Sequence, residues 1–393
     1  MKKILVVTEV FYPETFLIND LVLQWQRDGY KVDVLTQYPS YPVGKIFSGY
    51  TNEFYSVEKW RESTIHRFKL IEGYRESKIK KILNYWIFVR IGSRIAKKIG
   101  KDYDHIFVHQ TGPLTVALPA IALKKKYGTP LTIWSFDIWP DAVYAYGFPR
   151  NFILDTFLKC IINKVYANSD HILVSSKRFR EVIHSYVPQK EIEYVPNWLI
   201  GSVSVKSKLR LDSENINFTF TGNISVSQNL KNVILGFAMS KIENAVLNII
   251  GDGSSFNSIK ELIQKEHISN VFLHGRFPYD EMNDILTQSD ILVLPLIADE
   301  GIEKTEPLKL QSYLTAQKAI LGIVRGSARD IIEEEGLGVC ADPTNIADIA
   351  SKFVQSIEYA QKNAAQIKLS AQRLLDTRFN RKQIIEKINS IIA

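Results

Sequence analysis

A chain of 393 residues, 46% apolar and 23% charged, excludes a disordered protein and is long enough to predict two domains of about 150–200 residues each. Its two cysteines, Cys160 and Cys340, form no CxxC pair, which excludes a disulfide framework and a thiolate metal site and fits a reducing cytosol. The net charge of +7 lies wholly in residues 1–200, which carry 28 Lys and Arg against 19 Asp and Glu, whereas residues 201–393 carry 21 against 23.

The first half of the chain alternates strand-like and helix-like segments. It opens on an apolar strand at residues 3–10, and Glu9 and Pro13 interrupt the apolar run too early for a signal peptide. No stretch has the roughly 18 apolar residues of a membrane span. The alternation predicts a parallel sheet with helices on both faces. The other predicted elements are a helix at 19–28 and strands at 30–36, 106–109, 131–136 and 171–175.

Residues 74–101 are the most basic segment, with nine Lys and Arg against the single acid Glu76. Apolar and aromatic residues are interleaved with these charges, which predicts a basic amphipathic helix lying on an anionic membrane surface. The alternative is a helix that packs on the core and has a solvated basic face. No nucleic-acid-binding motif is present, so nucleic acid is not an expected partner.

The second half repeats the alternation after a polar linker at residues 199–217. Two successive Rossmann-like units predict an α/β fold with a deep interdomain cleft, which is a usual place for a ligand. The predicted strands are 218–221, 246–250, 271–274, 291–295 and 319–323; the predicted helices are 230–240, 258–267, 280–288 and 307–315, and residues 346–393 are nearly all helical in pattern.

Glycines directly follow two predicted strands of the second half. Gly222, next to Asn223, follows strand 218–221, and Gly251 and Gly253 follow strand 246–250. Glycine there lets a ligand approach the backbone, and a helix start behind it can face a phosphate; the alternative is a simple turn. The dinucleotide-binding pattern with its third glycine is absent, which disfavours a nicotinamide or flavin enzyme.

Arg276 follows the predicted strand 271–274, at the strand end that faces the ligand crevice of a parallel sheet. Its guanidinium is suited to pair with a phosphate or to stack on a base. The alternative is a surface arginine with an ion-pair partner.

Residues 300–311, with the sequence EGIEKTEPLKLQ, carry the strongest chemical signal. Pro307 suits the first turn of a helix, whose free N–H groups and positive dipole end would face a diphosphate, and Lys309 adds a cation there. Glu303 would accept hydrogen bonds from sugar hydroxyls. The alternative is an exposed, charged helix start. No cluster of His, Cys and carboxylates has metal-ligand spacing, so protein groups are expected to neutralise the diphosphate without a metal.

In order and spacing, these segments resemble the retaining glycosyltransferases of glycosyltransferase family 4, which have the GT-B fold of two Rossmann-like domains. Within the family the chain is most similar to the bacterial branch that adds deoxy- or acetamido-deoxy-sugars in O-antigen, capsule and exopolysaccharide assembly. The resemblance covers nearly the whole chain. Its markers are Phe11-Tyr12-Pro13-Glu14, Ile18-Asn19-Asp20, Tyr38-Pro39-Ser40-Tyr41-Pro42, Asp137-Ile138-Trp139-Pro140-Asp141, Pro196-Asn197-Trp198, Thr221-Gly222-Asn223-Ile224, Gly251-Asp252-Gly253 and residues 303–311.

The family holds its donor with two glutamates separated by seven residues. Glu303 matches the first, which lies near the sugar, and Gln311 occupies the place of the second, which binds the ribose. A glutamine still hydrogen-bonds a ribose diol. The resemblance implies a donor-binding set made of Gly222, Asn223, Gln228, Gly251, Gly253, Arg276, Lys304, Thr305, Pro307, Leu308 and Gln311.

Besides Gln311, the chain departs from the family at three places. The basic pair that follows the first strand of the second domain falls on Asn223 and Gln228, so Lys309, helped by Arg276 or Lys304, is expected to replace it.

The family's histidine in the first domain is replaced near Asp137. This carboxylate would orient the donor sugar or the acceptor. Where the family has a glycine-rich turn after the first strand, this chain has Phe16-Leu17-Ile18, so Asn19 and Asp20, with Tyr12, are expected to shape the acceptor side.

The resemblance thus implies an enzyme that transfers a sugar, with retention, from a nucleotide-sugar to a lipid-linked (polyprenyl diphosphate) saccharide. Its expected catalytic residues are Glu303, Lys309 and Asp137, and it would need no metal or cofactor. The implied location is cytoplasmic, peripheral on the inner face of the cell membrane. The implied domains are 1–200 for the acceptor and 201–370 for the nucleotide-sugar, with a helix at 371–393 packing back on the first domain.

Two other functions remain open at this point. A nucleotide-sugar epimerase shares the double-Rossmann plan and would act without an acceptor. A degenerate, non-catalytic glycan- or lipid-binding partner of an assembly complex would explain the missing basic pair, since fold alone does not fix chemistry.

Overall fold

The computed structural model describes residues 2–145, 148–201 and 204–392, and these residues form two compact α/β units. The first unit consists of two segments, one that ends at Val195 and one that begins at Ile385. The second unit is the continuous segment Pro196–Ile384. No helix within the described ranges combines the length and apolarity that crossing a bilayer requires.

Among the described residues, the first unit contains eight strands, six complete α-helices and the end of a seventh. A sheet in which only one neighbouring pair is antiparallel runs through its centre, and its middle strands are buried on both faces, as a helix-covered parallel sheet requires. The strands are β1 (Lys3–Thr8), β2 (Lys31–Gln37), β3 (Tyr55–Trp60), β4 (Ser63–Phe68), β5 (His105–Gln110), β6 (Leu131–Ser135), β7 (His171–Val174) and β8 (Ile192–Tyr194), in the order β3-β4-β2-β1-β5-β6-β7-β8; the helices are α1 (Leu17–Arg27), α2 (Lys78–Ile99), α3 (Ala117–Tyr127), α4 (Asp141–Ala145), α5 (Phe152–Asn168) and α6 (Lys177–His184).

The five strands predicted for this half are all present, with ends that differ by at most two residues. The antiparallel pair β3 and β4 and the short strand β8 were not predicted. The β3–β4 hairpin turns at Arg61, which has a φ of 56°, and Glu62, without the Asn-Gly or Asp-Gly pair that signals such a turn. β3 is also half-exposed along its length, so it has no clear apolar alternation.

Helix α2 covers most of the basic segment 74–101. Its core-facing side packs Phe88, Ile91 and Ile95 into the hydrophobic core of the first unit, and Ser77 caps its amino end by accepting a hydrogen bond from the Lys80 amide. The first two turns also expose apolar side chains to solvent. The predicted amphipathic helix is present, and one of its faces belongs to the core.

The second unit has an entirely parallel six-stranded sheet covered by helices. The strands are β9 (Ile216–Thr221), β10 (Ala245–Ile250), β11 (Val271–Gly275), β12 (Ile291–Pro295), β13 (Ala319–Ile323) and β14 (Gly338–Ala341), in the order β11-β10-β9-β12-β13-β14; the helices are α7 (Leu230–Ser240), α8 (Phe256–Lys265), α9 (Met282–Gln288), α10 (Glu300–Glu303), α11 (Leu308–Ala316), α12 (Ser327–Glu334), α13 (Ile346–Asp376) and α14 (Arg381–Ile392). All five strands predicted for this half are present, and β14 was not predicted.

The predicted linker at residues 199–217 is not a free segment, because from Val205 onwards it is bonded to the second unit. Ser207 donates its hydroxyl to Glu281 (2.6 Å) and its amide to Asp284 (3.0 Å), and Val205 donates its amide to the Asp280 carbonyl (2.9 Å). These bonds tie the segment to α9 and its preceding turn. Ser202 and Val203 lie outside the described residues.

The structure divides the chain at 195/196 and 384/385, and not at 200/201 and 370/371 as predicted. Helix α13 continues through residue 371, and Ile367, Ala371 and Leu374 are buried in the cores of the second unit. Only the last part of α14 belongs to the first unit. There Asn389 accepts a hydrogen bond from the Trp25 indole (2.7 Å), and Lys387 pairs with Glu193 (3.3 Å).

Candidate active site

Three glycines form a tight cradle where β9 and β10 of the second unit end. Gly251 has a φ of 144°, and a Cβ on it would lie 1.8 Å from the Gly222 carbonyl oxygen. Gly253 has a φ of 159°, and its Cβ would clash with the Ile224 carbonyl oxygen at 2.4 Å. Only glycine permits these two turns to approach each other so closely. The predicted glycine-rich donor turns therefore lie side by side at the carboxyl edge of the sheet.

Lys309 lies against this cradle from the first turn of α11. Its Cε and Nζ are 3.0 and 3.2 Å from the position of a Cβ on Gly222, and its ammonium donates to the Gln228 side-chain carbonyl (2.5 Å) and sits 3.8 Å from the centre of the Phe220 ring. Burial lowers the pKa of Lys309 to about 7. Burial therefore leaves this side chain only partly protonated at neutral pH, and an incoming anion would stabilise its ammonium form.

Pro307 is the N-cap of α11, with extended backbone (ψ 132°), and the helix begins at Leu308. The prediction of Pro307 inside the first turn is wrong by one residue, because the chain is still extended there. The correction places Lys309 at the second helical position, where amide N–H groups have no carbonyl partner within the helix. The lysine and the helix dipole thus act at the same place.

Tyr313 fixes α11 to the sheet edge, one turn after Lys309 on the same helix face. Its hydroxyl accepts a hydrogen bond from the Thr221 amide (3.1 Å) and donates to the Val293 carbonyl (3.0 Å). The tyrosine is fully buried. It fixes the start of α11 to the last residue of β9 and to the middle of β12, and this role was not predicted. Its spacing of four residues from Lys309 was the only available signal.

Gln311 is buried, with 1% of its surface exposed, and its amide nitrogen donates to the backbone carbonyl (2.9 Å) and side-chain oxygen (2.7 Å) of Asn197. Its own carbonyl oxygen, Oε1, is buried without a hydrogen-bond partner among the described residues. Such an orphaned acceptor is costly unless a ligand donor satisfies it. A hydroxyl group is a suitable donor, as the predicted ribose role requires.

Glu303 ends the short helix α10, which Asp299 caps by accepting the amides of Gly301 (3.0 Å) and Ile302 (3.1 Å). Gly326 has a φ of 70°, and a Cβ on it would lie 1.9 Å from the Glu303 carbonyl oxygen, so the loop after β13 approaches closely here. The Glu303 carboxylate is 4.0 Å from the Arg325 guanidinium and remains partly exposed. It is available to accept hydrogen bonds.

The remaining predicted donor residues differ in their placement. Asn223 is exposed, and its side-chain oxygen is 2.5 Å from where a Cβ on Gly253 would lie. Lys304 and Thr305 are partly buried in the turn between α10 and α11, where the Thr305 hydroxyl donates to the Ile302 carbonyl (2.7 Å). Leu308 is exposed.

Arg276 is exposed directly after β11. Two strands, β10 and β9, separate β11 from β12, the strand whose following segment carries Glu303 and Lys309. The contribution of Arg276 to the donor site remains a prediction.

A pair of carboxyl groups lies at the carboxyl edge of the sheet in the first unit. Glu9 directly follows β1, and Asp137 follows β6, with β5 between the two strands. Burial raises the pKa of each to about 7, and the charge of Glu9 raises the pKa of Asp137 further. The Lys81 ammonium opposes the shift at both carboxyls, and the Arg75 guanidinium opposes it at Glu9. Carboxyl groups with strongly perturbed pKa values at the carboxyl edge of a parallel sheet are typical of a functional site.

Asp137 was predicted, whereas Glu9 was interpreted only as an interruption of the apolar run. An acid at the carboxyl end of a central strand was the signal available in the sequence. Between these two strands, His109 and Gln110 of β5 are buried, and the His109 Nε2 and Gln110 Oε1 atoms have no partner among the described residues. Burial lowers the pKa of His109 to about 3, so its ring is neutral.

Of the three predicted acceptor residues, Tyr12 lies in the β1–α1 connection, and Asn19 and Asp20 lie in the first turn of α1. Tyr12 is half-exposed and stacks on Trp60, with ring centres 5.4 Å apart. Asn19 donates to the Glu14 carbonyl (2.7 Å), and its own side-chain oxygen is buried without a partner among the described residues. Asp20 is partly buried in the first turn of α1.

Glu14 organises this connection, although it was named only as part of a family marker. Its carboxylate accepts the amides of Phe11 (3.2 Å), Ser40 (2.8 Å) and Tyr41 (2.6 Å), which joins the loops after β1 and β2. Burial raises its pKa, and the three amides oppose that shift. The sequence gives no indication that these loops meet.

No group of three or more His, Cys, Asp or Glu side chains in the described ranges is arranged to hold a metal ion. The chain has a single Asp-x-Asp sequence, Asp102 to Asp104, at the amino end of β5. Asp104 accepts a hydrogen bond from the Lys3 amide there (2.8 Å). This is the sheet edge opposite the one that carries Glu9 and Asp137.

Two family models match the chain, one in each half. Residues 16–199 match the model described as Glycosyltransferase Family 4, and residues 204–373 match Glycosyl transferases group 1. Between them the two matches cover most of the chain. The chain is a GT-B glycosyltransferase.

Two bacterial relatives are similar in sequence to this glycosyltransferase. The probable glycosyltransferase WbjE of Pseudomonas aeruginosa is 23% identical over 61% of this chain and 63% of its own length. The match therefore spans less than two thirds of WbjE. The putative colanic acid biosynthesis glycosyl transferase WcaI of Escherichia coli K12 is 21% identical over 93% of this chain and 94% of its own.

Solved structures share the fold over the whole length. Sucrose-phosphate synthase from Thermosynechococcus elongatus superposes with a TM-score of 0.73 at 13% identity, covering 100% of this chain and 98% of the other. Anabaena HepE in complex with UDP gives 0.67 at 12% identity, covering 100% and 99%. The predicted two-domain α/β fold with parallel sheets is confirmed. The comparisons favour a transferase over an epimerase or a non-catalytic partner.

Proposed function

We propose that the protein transfers a sugar, with retention, from a nucleotide-sugar to a lipid-linked saccharide in the assembly of a bacterial surface polysaccharide. The observation that carries this proposal is Lys309 packed against the Gly222 turn, with the buried, unpartnered acceptor oxygen of Gln311 further along the same helix. A lysine at the helix start and an unpartnered acceptor oxygen on the same helix supply the groups that a diphosphate and a ribose hydroxyl require. HepE, a structure of the same fold, is known in complex with UDP.

The sugar class and the pathway are part of the same proposal. We take the transferred sugar to be a deoxy- or acetamido-deoxy-hexose and the acceptor to be a polyprenyl-diphosphate-linked saccharide. The name of WcaI refers to colanic acid biosynthesis, which supports a polysaccharide product. O-antigen, capsule and exopolysaccharide are the product classes in question.

In the proposed reaction the acceptor hydroxyl oxygen bonds to the anomeric carbon as the bond from that carbon to the diphosphate oxygen breaks. The hydroxyl proton passes to the departing diphosphate oxygen, on the same face of the sugar. Negative charge therefore grows on the diphosphate, and Lys309 with the free amides of α11 stabilises it in place of a metal. Glu303 accepts hydrogen bonds from hydroxyl groups of the donor sugar. Asp137 and Glu9 bind hydroxyl groups of the acceptor.

A transfer assay tests the proposal. The protein is incubated with a panel of nucleotide-sugars carrying radiolabelled sugar, with and without a polyprenyl-diphosphate-linked saccharide. We expect label in the lipid phase only when acceptor is present, unchanged in EDTA, and NMR of the product should show the anomeric configuration of the donor. Epimerised nucleotide-sugar formed without acceptor would contradict the proposal in favour of the epimerase, and no turnover of any donor would favour the non-catalytic partner.

We also propose that the protein works at the cytoplasmic face of the cell membrane as a peripheral protein. Helix α2 exposes Ile79, Ile82, Leu83 and Trp86, and it carries seven Lys and Arg and no acid. Exposed apolar and aromatic side chains among cations suit the headgroup layer of an anionic bilayer.

Co-sedimentation measures this contact. We expect the protein to pellet with anionic liposomes at low salt and not with phosphatidylcholine liposomes, and the double variant Ile79→Ser with Trp86→Ser should remain in the supernatant. Leu369→Ser, which removes an equally exposed apolar side chain from α13, serves as the matched control. Equal pelleting of the double variant and the control would show that α2 is not the contact.

A further inference from the structure

An apolar cavity of about 520 Å³ lies within the first unit, between α2 and α5. Its inner wall includes Leu118, Trp139 and Leu158, and its outer wall includes Trp86 and Phe157. Its volume is that of an ordinary ligand pocket, which is about 300–1,000 Å³. Its lining is nearly free of polar groups, so it suits a hydrocarbon ligand.

The mouth of this cavity is surrounded by apolar side chains that face solvent. Ile82 and Trp86 of α2 and Phe157 of α5 line the cavity and are each more than half exposed. Phe152 and Ile153 of α5 are more than four fifths exposed beside them. An apolar patch of this kind, continuous with a cavity, marks a binding surface.

Positive charge borders the patch. Helix α2 carries seven Lys and Arg and no acid, and Lys164 of α5 reaches the cavity wall. The Arg90 guanidinium lies 5.2 Å from the centre of the Trp86 ring. The complementary ligand is therefore an amphiphile with a hydrocarbon chain and an anionic head.

The cavity adjoins the carboxyl pair of the first unit. Trp139 in the cavity wall is two residues from Asp137, and Ile82 at the mouth follows Lys81, whose ammonium acts electrostatically on both Glu9 and Asp137. A chain held in the cavity would therefore present its head at Lys81 and the two carboxyl groups. A bilayer lipid does not need a cavity next to these carboxyl groups. A lipid-linked acceptor does, because its saccharide has to reach them.

We infer that the cavity holds hydrocarbon from the lipid that carries the acceptor saccharide, with the phosphate of that lipid on the Lys81 side. The inference rests on the proposed function, and it adds a substrate-binding site for the lipid part of the acceptor. Binding by the cavity fixes the distance from the lipid phosphate to the sugar that is extended.

Protection of Cys160 from alkylation tests the inference. Cys160 lines the cavity and is exposed, whereas the second cysteine, Cys340, is buried in the other unit and serves as an internal reference. The probe is geranylgeranyl diphosphate, below its micelle concentration, with N-ethylmaleimide as reagent and mass spectrometry as readout. We expect the probe to slow alkylation of Cys160 at least fivefold, and inorganic diphosphate to leave the rate unchanged.

A cavity-filling variant and its control sharpen the test. Val89 lines the cavity from α2, so Val89→Trp should abolish protection by the probe. Val354→Trp places the same side chain at an exposed position of α13 and should leave protection intact. The measured quantity is the ratio of rates with and without probe, so a change in the unprotected rate is cancelled.

Three outcomes would overturn the inference. These are no protection by geranylgeranyl diphosphate, equal protection by inorganic diphosphate, and equal protection by dioleoylphosphatidylglycerol vesicles, which would assign the cavity to bilayer lipid. The test needs no donor and no turnover, so it is separate from the transfer assay. Normal sugar transfer without protection of Cys160 would reject only the inference that the cavity binds the acceptor lipid. Protection of Cys160 without sugar transfer would reject the proposed function and would still show a binding site for isoprenoid diphosphates.

Discussion

Replacing Lys309 by methionine is expected to lower kcat for sugar transfer by about 10²–10³-fold, the loss typical of one preorganised group that stabilises developing negative charge. Methionine keeps an unbranched side chain against Phe220 and Gly222 but removes the cation. Lys309→Ala should show a similar loss. Because burial disfavours the ammonium, the fold should tolerate either change, which circular dichroism and thermal unfolding would verify.

Two further variants separate charge from position. Lys368→Met, on the exposed face of α13 in the same unit, should keep the wild-type kcat. Gln311→Leu removes the orphaned acceptor and should weaken binding of UDP while affecting kcat less than Lys309→Met does. A wild-type kcat in Lys309→Met would show that the diphosphate is neutralised elsewhere.

The variants Glu9→Gln and Asp137→Asn are each expected to stabilise the protein at pH 8, by about 2 kcal/mol in free energy of unfolding. In the folded state both carboxyls have a pKa raised to about 7, from model values of 4.5 and 3.8. A carboxyl whose pKa is raised in the folded state stabilises the folded protein fully only below its unfolded-state pKa. This stabilisation is lost as the pH rises through its folded-state pKa. The amides do not ionise, so the gain should be complete above pH 7, be largely lost at pH 4.5 and vanish below the unfolded pKa of each carboxyl.

Urea unfolding at pH 8 and pH 4.5, monitored on the transition of the first unit, measures this difference. Glu62→Gln replaces an exposed carboxylate of the same unit and should leave stability unchanged at both values. The stabilised variants should lose transfer activity, since destabilising carboxyls are retained where they have a function. Unchanged stability of both variants at pH 8 would show that the two groups are ionised and solvated in the folded protein.

The parts of the fold that follow from local pattern were predictable. Buried strands such as β10 and β12 and the helix α7 are continuous apolar or periodic segments, and the sequence alone places them to within a residue or two. Lys309 was predictable for the same reason: a Pro and a Lys two residues apart after a strand mark a helix start at a sheet edge. The hairpin of β3 and β4 has neither signal.

Features built from distant segments could not be predicted. Gln311 is held by Asn197, 114 residues earlier, and the orphaned oxygen that results is visible only in the folded chain. Glu9 and Asp137 are 128 positions apart and meet because parallel strands end at one edge. The cavity between α2 and α5 depends on side chains from several elements, each of which is simply apolar in the sequence.

The path of the backbone through the two units has a practical consequence. Because the chain leaves the first unit at Val195 and re-enters it at Ile385, the second unit is a contiguous insertion into the first. The second unit can therefore be excised as one uninterrupted fragment, whereas the first unit needs a designed bridge from residue 195 to residue 385. Removing residues 386–393 would weaken the first unit, because Asn389 accepts the hydrogen bond from Trp25. An affinity tag attached after residue 393 therefore needs a spacer.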